Sequence, residues 1–588
     1  MTTGRLSTCP LCDGRQLRYA FSRQGYRVVR CAQCRLMLLN PQPSDQELGQ
    51  IYTDGYFLGQ PGAEGRRRSS EMRRATARHY LRELRRYRGP HGGRLLEIGC
   101  GEGDFLSEAE GAGFRVTGVD RSPFAARVAR TRVGAHALVV CGDAECLRPG
   151  REHFDVCVLS DVLEHVRNPL SFLALVRSLL RPDGVLLIAT PSLDSWSARL
   201  LRENWMEFKP EHLFYFDSNT VQHALFRAGF DSAVVRPGWK TLNLEVVAHH
   251  FERFPTSGFT PLVNMVARVT PAALRRRHVR VVASGLLAFA RKRRVRPRPR
   301  LSVIVPAYNE AATLDTVMRR LLDRDRRDVD MEIVLVESAS TDGTRELAER
   351  YARDGRVNVV FEDRPRGKGH AVRTGFTHAT GDFVLIQDAD LEYDIEDYDA
   401  LLEPLLNHRE AFVLGSRHGG SAWKMRRFAG QRLLSVGLNL GHWLFTLLIN
   451  VLFSQRLRDP FTMYKVFRRD CLYGLRFECN RFDFDYELLI KLIRKGYRPV
   501  EIPVNYRSRT FGDGKKVSLW RDPPLWLWAL VKLRAASIDP MREVERERAA
   551  GIRGHADRAS RAGERPAGHE PACHLSAARG DVMTPKET

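Results

Sequence analysis

The sequence predicts a multidomain α/β protein, and three observations support this fold class. At 588 residues the chain is several times longer than a common domain. Two separate stretches, beginning near residues 61 and 301, alternate apolar strands with helices, the pattern of parallel sheets covered by helices. A short module with paired cysteines precedes the first stretch. We therefore divide the chain into five predicted segments: 1–60, 61–250, a basic helical linker at 251–299, 300–540 and a disordered tail at 541–588.

Composition and charge exclude several classes of protein. With 43% hydrophobic and 28% charged residues, the chain is neither disordered throughout, nor collagen, nor a polytopic membrane protein. The net charge of +23 is concentrated in two basic stretches, residues 66–88 and 270–300. Such stretches suit nucleic acid or the anionic inner face of a membrane, or they are solvated helix faces, and charge alone does not separate these readings.

The cysteines predict a structural metal site in a reducing compartment. Eleven cysteines in 588 residues are too sparse for a disulfide scaffold, and the N-terminus has no apolar stretch typical of a secretory signal, so we expect a cytoplasmic protein. Four cysteines form two Cys-x-x-Cys knuckles eighteen residues apart, the spacing that a tetrahedral Zn²⁺ needs: Cys9, Cys12, Cys31 and Cys34. With four protein ligands, no coordination position stays open for catalysis.

The first strand-and-helix stretch opens with a ligand-binding turn. Residues 94–103 (RLLEIGCGEG) are typical of a buried strand that runs into a glycine turn and then a helix. Gly99 and Gly101 allow the backbone to approach a ligand closely, and a helix N-terminus favours an anionic group. A second strand ends at Asp120, where a ribose diol would be held.

This stretch resembles the class I S-adenosylmethionine-dependent methyltransferases, over roughly residues 70–250. The resemblance implies a Rossmann-like fold and a set of residues that bind the methyl donor: Glu97, Gly99, Gly101, Asp120, Asp143 and Ala144. Together with the cysteine module it is similar to sugar C-methyltransferases. A dinucleotide-binding domain is the competing interpretation of the same turn. For the base that methyl transfer to a hydroxyl or carbon acid needs, the candidates are His212 and His165, and each is structural in the alternative reading.

The second strand-and-helix stretch carries acidic and basic residues after its strands. The strand that begins at Leu301 stops at Pro306 and opens a polar turn, and another ends at Asp388 and Asp390. Two carboxylates one residue apart can hold a divalent cation, which neutralises charge on a departing diphosphate.

The ordered motifs of this stretch resemble family 2 glycosyltransferases of the GT-A fold, over about residues 300–537. They are PAYNE at 306–310, STDGT at 340–344, RGKG at 366–369, DAD at 388–390 and GSR at 415–417. Within the family they are most similar to the dolichol-phosphate mannose and polyprenyl-phosphate glucose synthase branch. The resemblance implies an inverting transfer from a nucleotide sugar to a polyprenyl phosphate, with Mg²⁺ or Mn²⁺.

The resemblance also assigns residues to this reaction. Asp388 and Asp390 hold the metal, Asp459 or Glu487 is the candidate catalytic carboxylate, and Arg417 orients the acceptor phosphate. The remaining candidates contact the donor or its leaving group: Pro306, Tyr308, Asn309, Glu310, Glu337, Lys368, Arg509 and Lys515.

A lipid acceptor gives the apolar segments a purpose. Residues 433–455 and 525–534 combine apolar faces, tryptophans and flanking arginines, as helices on a membrane surface do, although 433–455 is also long enough to span a bilayer. Residues 281–290, between arginine clusters, could also lie on anionic lipid. We expect a protein on the inner face of the cytoplasmic membrane.

The sequence therefore predicts a fusion of a methyltransferase and a glycosyltransferase in glycan or glycolipid biosynthesis. Two alternatives stay open, an RNA-modifying methyltransferase with an accessory domain and a chain in which one half is an inactive scaffold. We expect no nucleic-acid partner, because no RNA-binding module is recognisable. The sequence does not indicate the oligomeric state.

Overall fold

A computed structural model describes residues 5–51, 63–147, 153–253, 259–293, 296–324, 328–418, 432–481, 483–507 and 522–549. These residues form three sheets, one small and two of seven strands. The small sheet has the order β1-β2-β3-β9 and is antiparallel, with strands Leu17–Arg23, Tyr26–Cys31, Met37–Leu39 and Phe214–Tyr215. Because β9 comes from the following domain, the cysteine module is fastened to that domain by strand pairing.

The first large sheet has the order β10-β11-β8-β7-β4-β5-β6. Its strands are β4 (Gly93–Ile98), β5 (Phe114–Asp120), β6 (Leu138–Cys141), β7 (Phe154–Ser160), β8 (Leu180–Pro191), β10 (Phe230–Leu242) and β11 (Val279–Lys292). Strands β4 to β8 are parallel, and β11 runs antiparallel between β8 and β10. From β4, successive strands are added first on the β5 side of the sheet and then on the β7 side. Ligands bind at such a switch point, beyond the carboxyl ends of the strands.

The helices of the N-terminal half cover this sheet and extend beyond it. They are α1 (Asp45–Ile51), α2 (Ala63–Arg88), α3 (Asp104–Gly111), α4 (Pro123–Arg132), α5 (Pro169–Leu179), α6 (Trp196–Leu201), α7 (Ser218–Arg227), α8 (Leu244–Arg253), α9 (Phe259–Val269) and α10 (Ala272–Arg275). Caps fix several of these starts. Asp217, for example, accepts a hydrogen bond from the backbone N–H of Thr220 at 2.8 Å and begins α7 with a capping box.

The second large sheet has the order β14-β13-β12-β15-β17-β16-β18. Its strands are β12 (Arg300–Ala307), β13 (Asp330–Glu337), β14 (Val357–Phe361), β15 (Phe383–Ile386), β16 (Phe412–Ser416), β17 (Lys465–Arg468) and β18 (Val500–Pro503). The four strands from β14 to β15 are parallel, and β17 is antiparallel to both of its neighbours. Its helices are α11 (Ala311–Leu322), α12 (Thr344–Asp354), α13 (Lys368–His378), α14 (Tyr398–Leu406), α15 (Arg432–Phe453), α16 (Phe484–Arg494) and α17 (Asp522–Ala535).

The predicted helical linker is wrong for residues 279–292. The segment begins with helices, but residues 279–292 form β11 inside the first large sheet, paired on both sides. Leu286, Leu287 and Phe289 are all buried there. A strand that is buried on both faces reads as a continuous apolar run, which periodicity does not distinguish from a buried helix. The predicted lipid-binding segment 281–290 is therefore wrong for residues 284–290, which are buried in the core.

The predicted disordered tail is wrong at its start. Residues Pro540–Ala549 form α18, which returns to the N-terminal half and packs on α2. Met541 and Val544 are buried in the core of that half, and Glu545 pairs with Arg86 at 2.8 Å. The rest of the tail, from residue 550, lies outside the described residues.

The two halves meet at a packed interface centred on Phe226 of α7. Its ring is 3% exposed and belongs to the hydrophobic core of the second large sheet. The guanidinium of Arg468 lies 3.9 Å from the ring centroid and that of Arg293 lies 4.2 Å from it. Arg498 of the C-terminal half also donates to Asp217, which caps the same helix, at 2.8 Å.

Candidate active sites

The cysteine module brings its four thiols together. Cys9 and Cys34 have their sulfurs 3.5 Å apart, as have Cys12 and Cys31, and all four side chains are buried and outside any disulfide. One ligand atom from each lies within 4.8 Å of the others. A tetrahedron of sulfurs about 2.3 Å from a zinc ion has edges of about 3.8 Å, close to the two 3.5 Å separations. The geometry therefore fits a tetrahedral metal ion.

The glycine turn after β4 forms a cradle that a side chain would fill. Gly99 has φ +74°, and a Cβ there would lie 2.5 Å from a methyl carbon of Val162. Glu97, at the end of β4, is buried, and its Oε2 has no hydrogen-bond partner among the residues that the structure describes. Burial, with the nearby Asp104 and Asp120 carboxylates, raises the pKa of Glu97 well above its usual value. A buried acceptor without a donor is the observation that fits a bound cofactor at this turn.

Asp120 and Ala144 lie where the sequence predicts, next to this turn. Asp120 ends β5, and its carboxylate accepts hydrogen bonds from the backbone N–H groups of Gly101 at 2.8 Å and Ser122 at 2.9 Å. Ala144 is buried at the start of a short helical turn after β6. Asp143 precedes it and forms an exposed ion pair with Arg121. A ligand that extends from the glycine turn along the carboxyl ends of β5 and β6 meets these residues in order.

The sequence did not identify Glu164, which the structure places beside both candidate histidines. A ligand atom of Glu164 lies within 4.8 Å of one from His165 and one from His212. Glu164 is 1% exposed, and burial with the nearby Asp161 raises its pKa to about 8. Its Oε2 accepts a hydrogen bond from the Thr190 hydroxyl at 2.9 Å, and its Oε1 has no partner within the described ranges. The one signal in the sequence was an acid following a buried strand at the switch point.

Backbone carbonyls orient both imidazole rings. Nδ1 of His165 lies 2.8 Å from the Glu211 carbonyl oxygen, and Nδ1 of His212 lies 2.8 Å from that of Glu207. A carbonyl oxygen only accepts, so each ring carries its proton on Nδ1 and presents the lone pair of Nε2. Burial holds the pKa of His212 well below its usual value, so this ring is neutral at physiological pH. We name Glu164, His165 and His212 the His–Glu cluster.

The polar turn after β12 is tied to the turn after β13. Asn309, with φ +52°, accepts a hydrogen bond from the backbone N–H of Thr341 at 2.9 Å, and the backbone N–H of Glu310 donates to the Thr344 hydroxyl at 2.9 Å. Glu337 is fully buried at the end of β13, where it accepts from the Ser340 N–H at 2.6 Å and pairs with Arg345 at 3.2 Å. Pro306 and Tyr308 belong to the same end of the sheet, and Tyr308 is 39% exposed. These carboxyl ends form one polar rim.

The acidic pair after β15 faces a lysine. The carboxylate of Asp388 forms an ion pair with the ammonium of Lys368, at the start of α13, and Asp390 is buried two residues further on. Burial alone would lower the pKa of Lys368, but the carboxylates of Asp388 and Asp485 outweigh it and raise the pKa. The pair therefore already binds a positive charge, which indicates that it suits a cation.

Arg417 and Asp459 form a buried two-point ion pair. The guanidinium donates Nε–H to Oδ2 at 2.8 Å and Nη2–H to Oδ1 at 2.7 Å. Burial alone would raise the pKa of Asp459, but Arg417 outweighs it and holds the pKa well below its usual value. His442 of α15 lies beside this pair, with a ligand atom within 4.8 Å of one from Asp459. The structure thus brings Arg417 and Asp459 together, a contact that the sequence did not predict, and Arg417 holds Asp459 in its ionised form.

Glu487 does not join these groups, whereas Asp485 does. Glu487 accepts hydrogen bonds from the backbone N–H of Cys479 at 2.9 Å and from Lys491 at 2.6 Å. Asp485 lies 3.3 Å from the ammonium of Lys465, and its charge also acts on Lys368. Residues two apart on a helix project to nearly opposite sides, so one of these acids can face the site and the other cannot. The predicted residues Arg509 and Lys515 lie outside the described residues.

An apolar surface lies next to this site, formed by the exposed faces of α15 and α17. On α15 the exposed residues follow helical spacing: Leu440, Trp443, Leu444, Leu447 and Val451. On α17 the exposed residues are Leu527, Trp528 and Val531. The two helices contact each other through Phe445 and Trp526, whose ring centroids are 5.9 Å apart. Within the described part of the chain, no helix has both the length and the apolar content to cross a bilayer.

Comparison with known proteins agrees with both halves of the fold. Residues 302–473 match the model of glycosyl transferase family 2, and residues 68–234 match that of a methyltransferase domain. Glycosyltransferase AglJ of Haloferax volcanii is 30% identical over 241 residues, which are 41% of this chain and 73% of that protein. Dolichyl-phosphate beta-glucosyltransferase ALG5A of Trichomonas vaginalis is 30% identical over 233 residues, 37% of this chain and 68% of that protein.

A solved SAM-dependent methyltransferase from Thermotoga maritima, a possible histamine N-methyltransferase, is 21% identical. It covers 38% of this chain and 95% of its own length, with a TM-score of 0.26. Among the curated relatives, this chain spans as little as 35% of the length of glycosyltransferase AglD of Haloferax volcanii.

The fold and the two sites define a two-domain transferase. The chain belongs to glycosyl transferase family 2 through its C-terminal half, and its N-terminal half is a methyltransferase domain. Both family interpretations made from the sequence are thereby confirmed.

Proposed function

We propose that this chain is a bifunctional enzyme of glycan or glycolipid biosynthesis at the inner face of the cytoplasmic membrane. Its C-terminal half transfers a sugar, with inversion, from a nucleotide sugar to a polyprenyl phosphate, and its N-terminal half methylates with S-adenosylmethionine. The name of the relative ALG5A, a dolichyl-phosphate glucosyltransferase, supports a lipid-linked phosphate as acceptor.

The main observation that supports sugar transfer is the ion pair between Asp388 and Lys368 at the rim of the second large sheet. Asp388 and Asp390 would hold Mg²⁺ or Mn²⁺, which would neutralise charge on the leaving diphosphate. Once the metal is bound, the ammonium of Lys368 would leave the Asp388 carboxylate and bind a phosphate oxygen of the donor instead. The polar rim from Pro306 to Glu310 and Glu337 would hold the nucleoside.

The acceptor side is formed by Arg417 and α15. Arg417 is fixed by Asp459, so its remaining N–H groups are pre-oriented toward an anionic phosphate. His442, on the inner face of α15, lies beside that ion pair, while Leu447 on the same helix is 53% exposed. One helix thus connects the apolar surface with the phosphate site, as a prenol phosphate requires.

The reaction is a single displacement at the anomeric carbon. An oxygen of the acceptor phosphate forms the new bond while the bond from that carbon to the diphosphate oxygen breaks. The acceptor is already anionic near neutral pH, so no strong base is needed. Asp459 serves as a positioning anion for Arg417. Asp485, rather than Glu487, is the acid of α16 that lies near the donor.

The test is incubation of the purified full chain with Mn²⁺ or Mg²⁺, a polyprenyl phosphate and a panel of nucleotide sugars. We expect diphosphate release that depends on metal and on acceptor, and a loss of at least about 100-fold in Asp388→Asn. An exposed acid outside the site, Asp399→Asn, serves as the matched control. Equal turnover of Asp388→Asn and wild type with Mn²⁺ or Mg²⁺ present, or full turnover of the wild type in metal-stripped buffer, would refute the proposal.

In the N-terminal half the His–Glu cluster is the site of proton removal from the methyl acceptor. Bound at the glycine turn, S-adenosylmethionine supplies the transferable methyl group, and Glu97, Gly99, Gly101, Asp120, Asp143 and Ala144 would hold it. Val162, three residues before His165, touches the space above Gly99, so the cluster borders the donor. The neutral Nε2 of His212 or the Glu164 carboxylate accepts the proton.

The methylation test uses labelled S-adenosylmethionine with the same nucleotide sugars and their lipid-linked products as acceptors. His212→Gln should lower turnover by about 10²- to 10⁴-fold and leave S-adenosylmethionine affinity unchanged. His223→Gln is the matched control, since this buried histidine of α7 lies at the interface between the halves. An unchanged turnover of His212→Gln would remove it as the base.

For the cysteine module we propose a structural Zn²⁺. Its four buried thiols leave no position for substrate, and a module this small gains folding free energy from the metal. Metal analysis of the purified chain should find one zinc ion, and none in a variant with Cys9 and Cys31 changed to serine.

A further inference from the structure

Helix α9 presents an unusual surface on the N-terminal half. Leu262, Met265, Val266 and Val269 are 50%, 56%, 40% and 76% exposed, and their spacing places them on one side of the helix. The opposite side faces the protein, where Ala267 is buried. Among the described residues, nothing covers the exposed side. A contiguous apolar face of this kind on a soluble domain marks an interaction surface.

The surroundings of α9 are strongly basic. Residues 259–280 hold five arginines and no acidic residue. Arg268, Arg277 and Arg280 are exposed. Glu245 of α8, which lies against this segment, is already paired with Arg276 at 2.9 Å and with Arg68 at 3.3 Å. The positive charge beside the apolar face is therefore largely uncompensated.

Two exposed tryptophans from earlier in the chain lie beside the end of the basic segment. Trp196 of α6, 61% exposed, donates its indole N–H to the Val282 carbonyl at 2.8 Å. Trp239 of β10, 42% exposed, is the register partner of Val282 on β11. Both indoles thus lie beside Val282, two residues after Arg280. Indole rings prefer the boundary between apolar and aqueous phases.

We propose that α9 and the adjoining basic segment are a second membrane-docking surface, which binds the headgroups and upper acyl chains of anionic phospholipid. An aliphatic stripe has no use in contacts with phosphates and bases of nucleic acid, whereas lipid uses both the stripe and the arginines. This surface belongs to the methyltransferase half and is separate from the apolar surface of α15 and α17. The proposal goes beyond the proposed activities, because lipid binding by α9 requires neither reaction.

The test is cosedimentation of the full chain with phosphatidylcholine vesicles, with and without phosphatidylglycerol, in the absence of any polyprenyl phosphate. Met265→Asp with Val269→Asp should weaken binding to the anionic vesicles by at least about tenfold, since apolar area is lost and negative charge is added. Arg268→Glu with Arg277→Glu should weaken it at least about 25-fold, because each arginine contributes about fivefold. This second pair leaves the apolar face intact, so it tests the charge independently.

Leu138→Asp is the matched control, because Leu138 is 56% exposed on β6 at the opposite edge of the sheet and should not affect binding. Circular dichroism and S-adenosylmethionine binding verify that each variant is folded. Binding of both double variants within twofold of wild type would overturn the proposal, as would RNA binding that the arginine variants lose while vesicle binding persists. Sugar transfer to a water-soluble short-chain prenyl phosphate should be unchanged in all variants, so failure of this proposal is distinguishable from failure of the proposed activity.

Discussion

The packing of Phe226 predicts that the two halves unfold as one unit and that a single substitution separates them. Truncation of a buried phenylalanine to alanine costs about 3–5 kcal/mol. Here the change also removes the aromatic face above Arg468, whose side chain is 2% exposed, a contact worth about 0.5–2 kcal/mol. We therefore expect Phe226→Ala to cost about 3.5–7 kcal/mol, which weakens the docking of the halves about 300-fold or more.

The assay is calorimetry of the full chain with and without S-adenosylmethionine. In the wild type we expect one transition that the ligand shifts upward, because a ligand that binds one half stabilises everything that unfolds with it. In Phe226→Ala we expect two transitions, of which the ligand moves one. The neighbouring Leu225→Ala is the control, because Leu225 is 1% exposed in the core of the N-terminal half and should lower stability without separating the halves. A single, ligand-shifted transition in Phe226→Ala would refute the reasoning.

Three further predictions concern the sites. Asp485→Asn should lower sugar transfer by at least about tenfold with little change in melting temperature. Glu487→Gln should instead lower the melting temperature, because two backbone N–H groups lose a charged acceptor. Activity assays and thermal melts of the two variants, compared side by side, test this. Burial raises the pKa of Glu164 to about 8, so its ionised form gains population as the pH rises, and methyl transfer should increase up to that pH. Glu164→Gln should abolish this rising limb of the pH–rate profile. A profile identical to that of the wild type would argue against Glu164 as the base. Cys31→Ser should abolish binding of the proposed zinc ion and lower the melting temperature of the methyltransferase half, measured by metal analysis and calorimetry, while sugar transfer by the other half persists.

Much of this architecture could be predicted from the sequence, because the decisive signals are local. The glycine turn after Glu97 and the acids after β15 lie at strand ends, as expected, and the two cysteine knuckles meet. These features depend on residues close together in the chain, where spacing sets geometry.

The errors arose where distant parts of the chain decide the structure. The apolar run that forms β11 is buried by strands far away in sequence, and its period does not reveal this. α18 is rich in arginine and glutamate, and its few apolar residues, such as Met541, gain their burial from α2. Glu164 becomes notable through its burial near His212, and the choice between Asp485 and Glu487 depends on the rotation of α16.

The return of α18 to α2 gives the chain the topology of an insertion. The polypeptide leaves the methyltransferase fold after β11, builds the whole glycosyltransferase, and then re-enters the first fold through Met541 and Val544. A gene cut between the two catalytic regions would thus leave the upstream product with an open apolar groove along α2 and the downstream product with an unanchored end. We expect the two enzymes to be inherited, expressed and degraded as one.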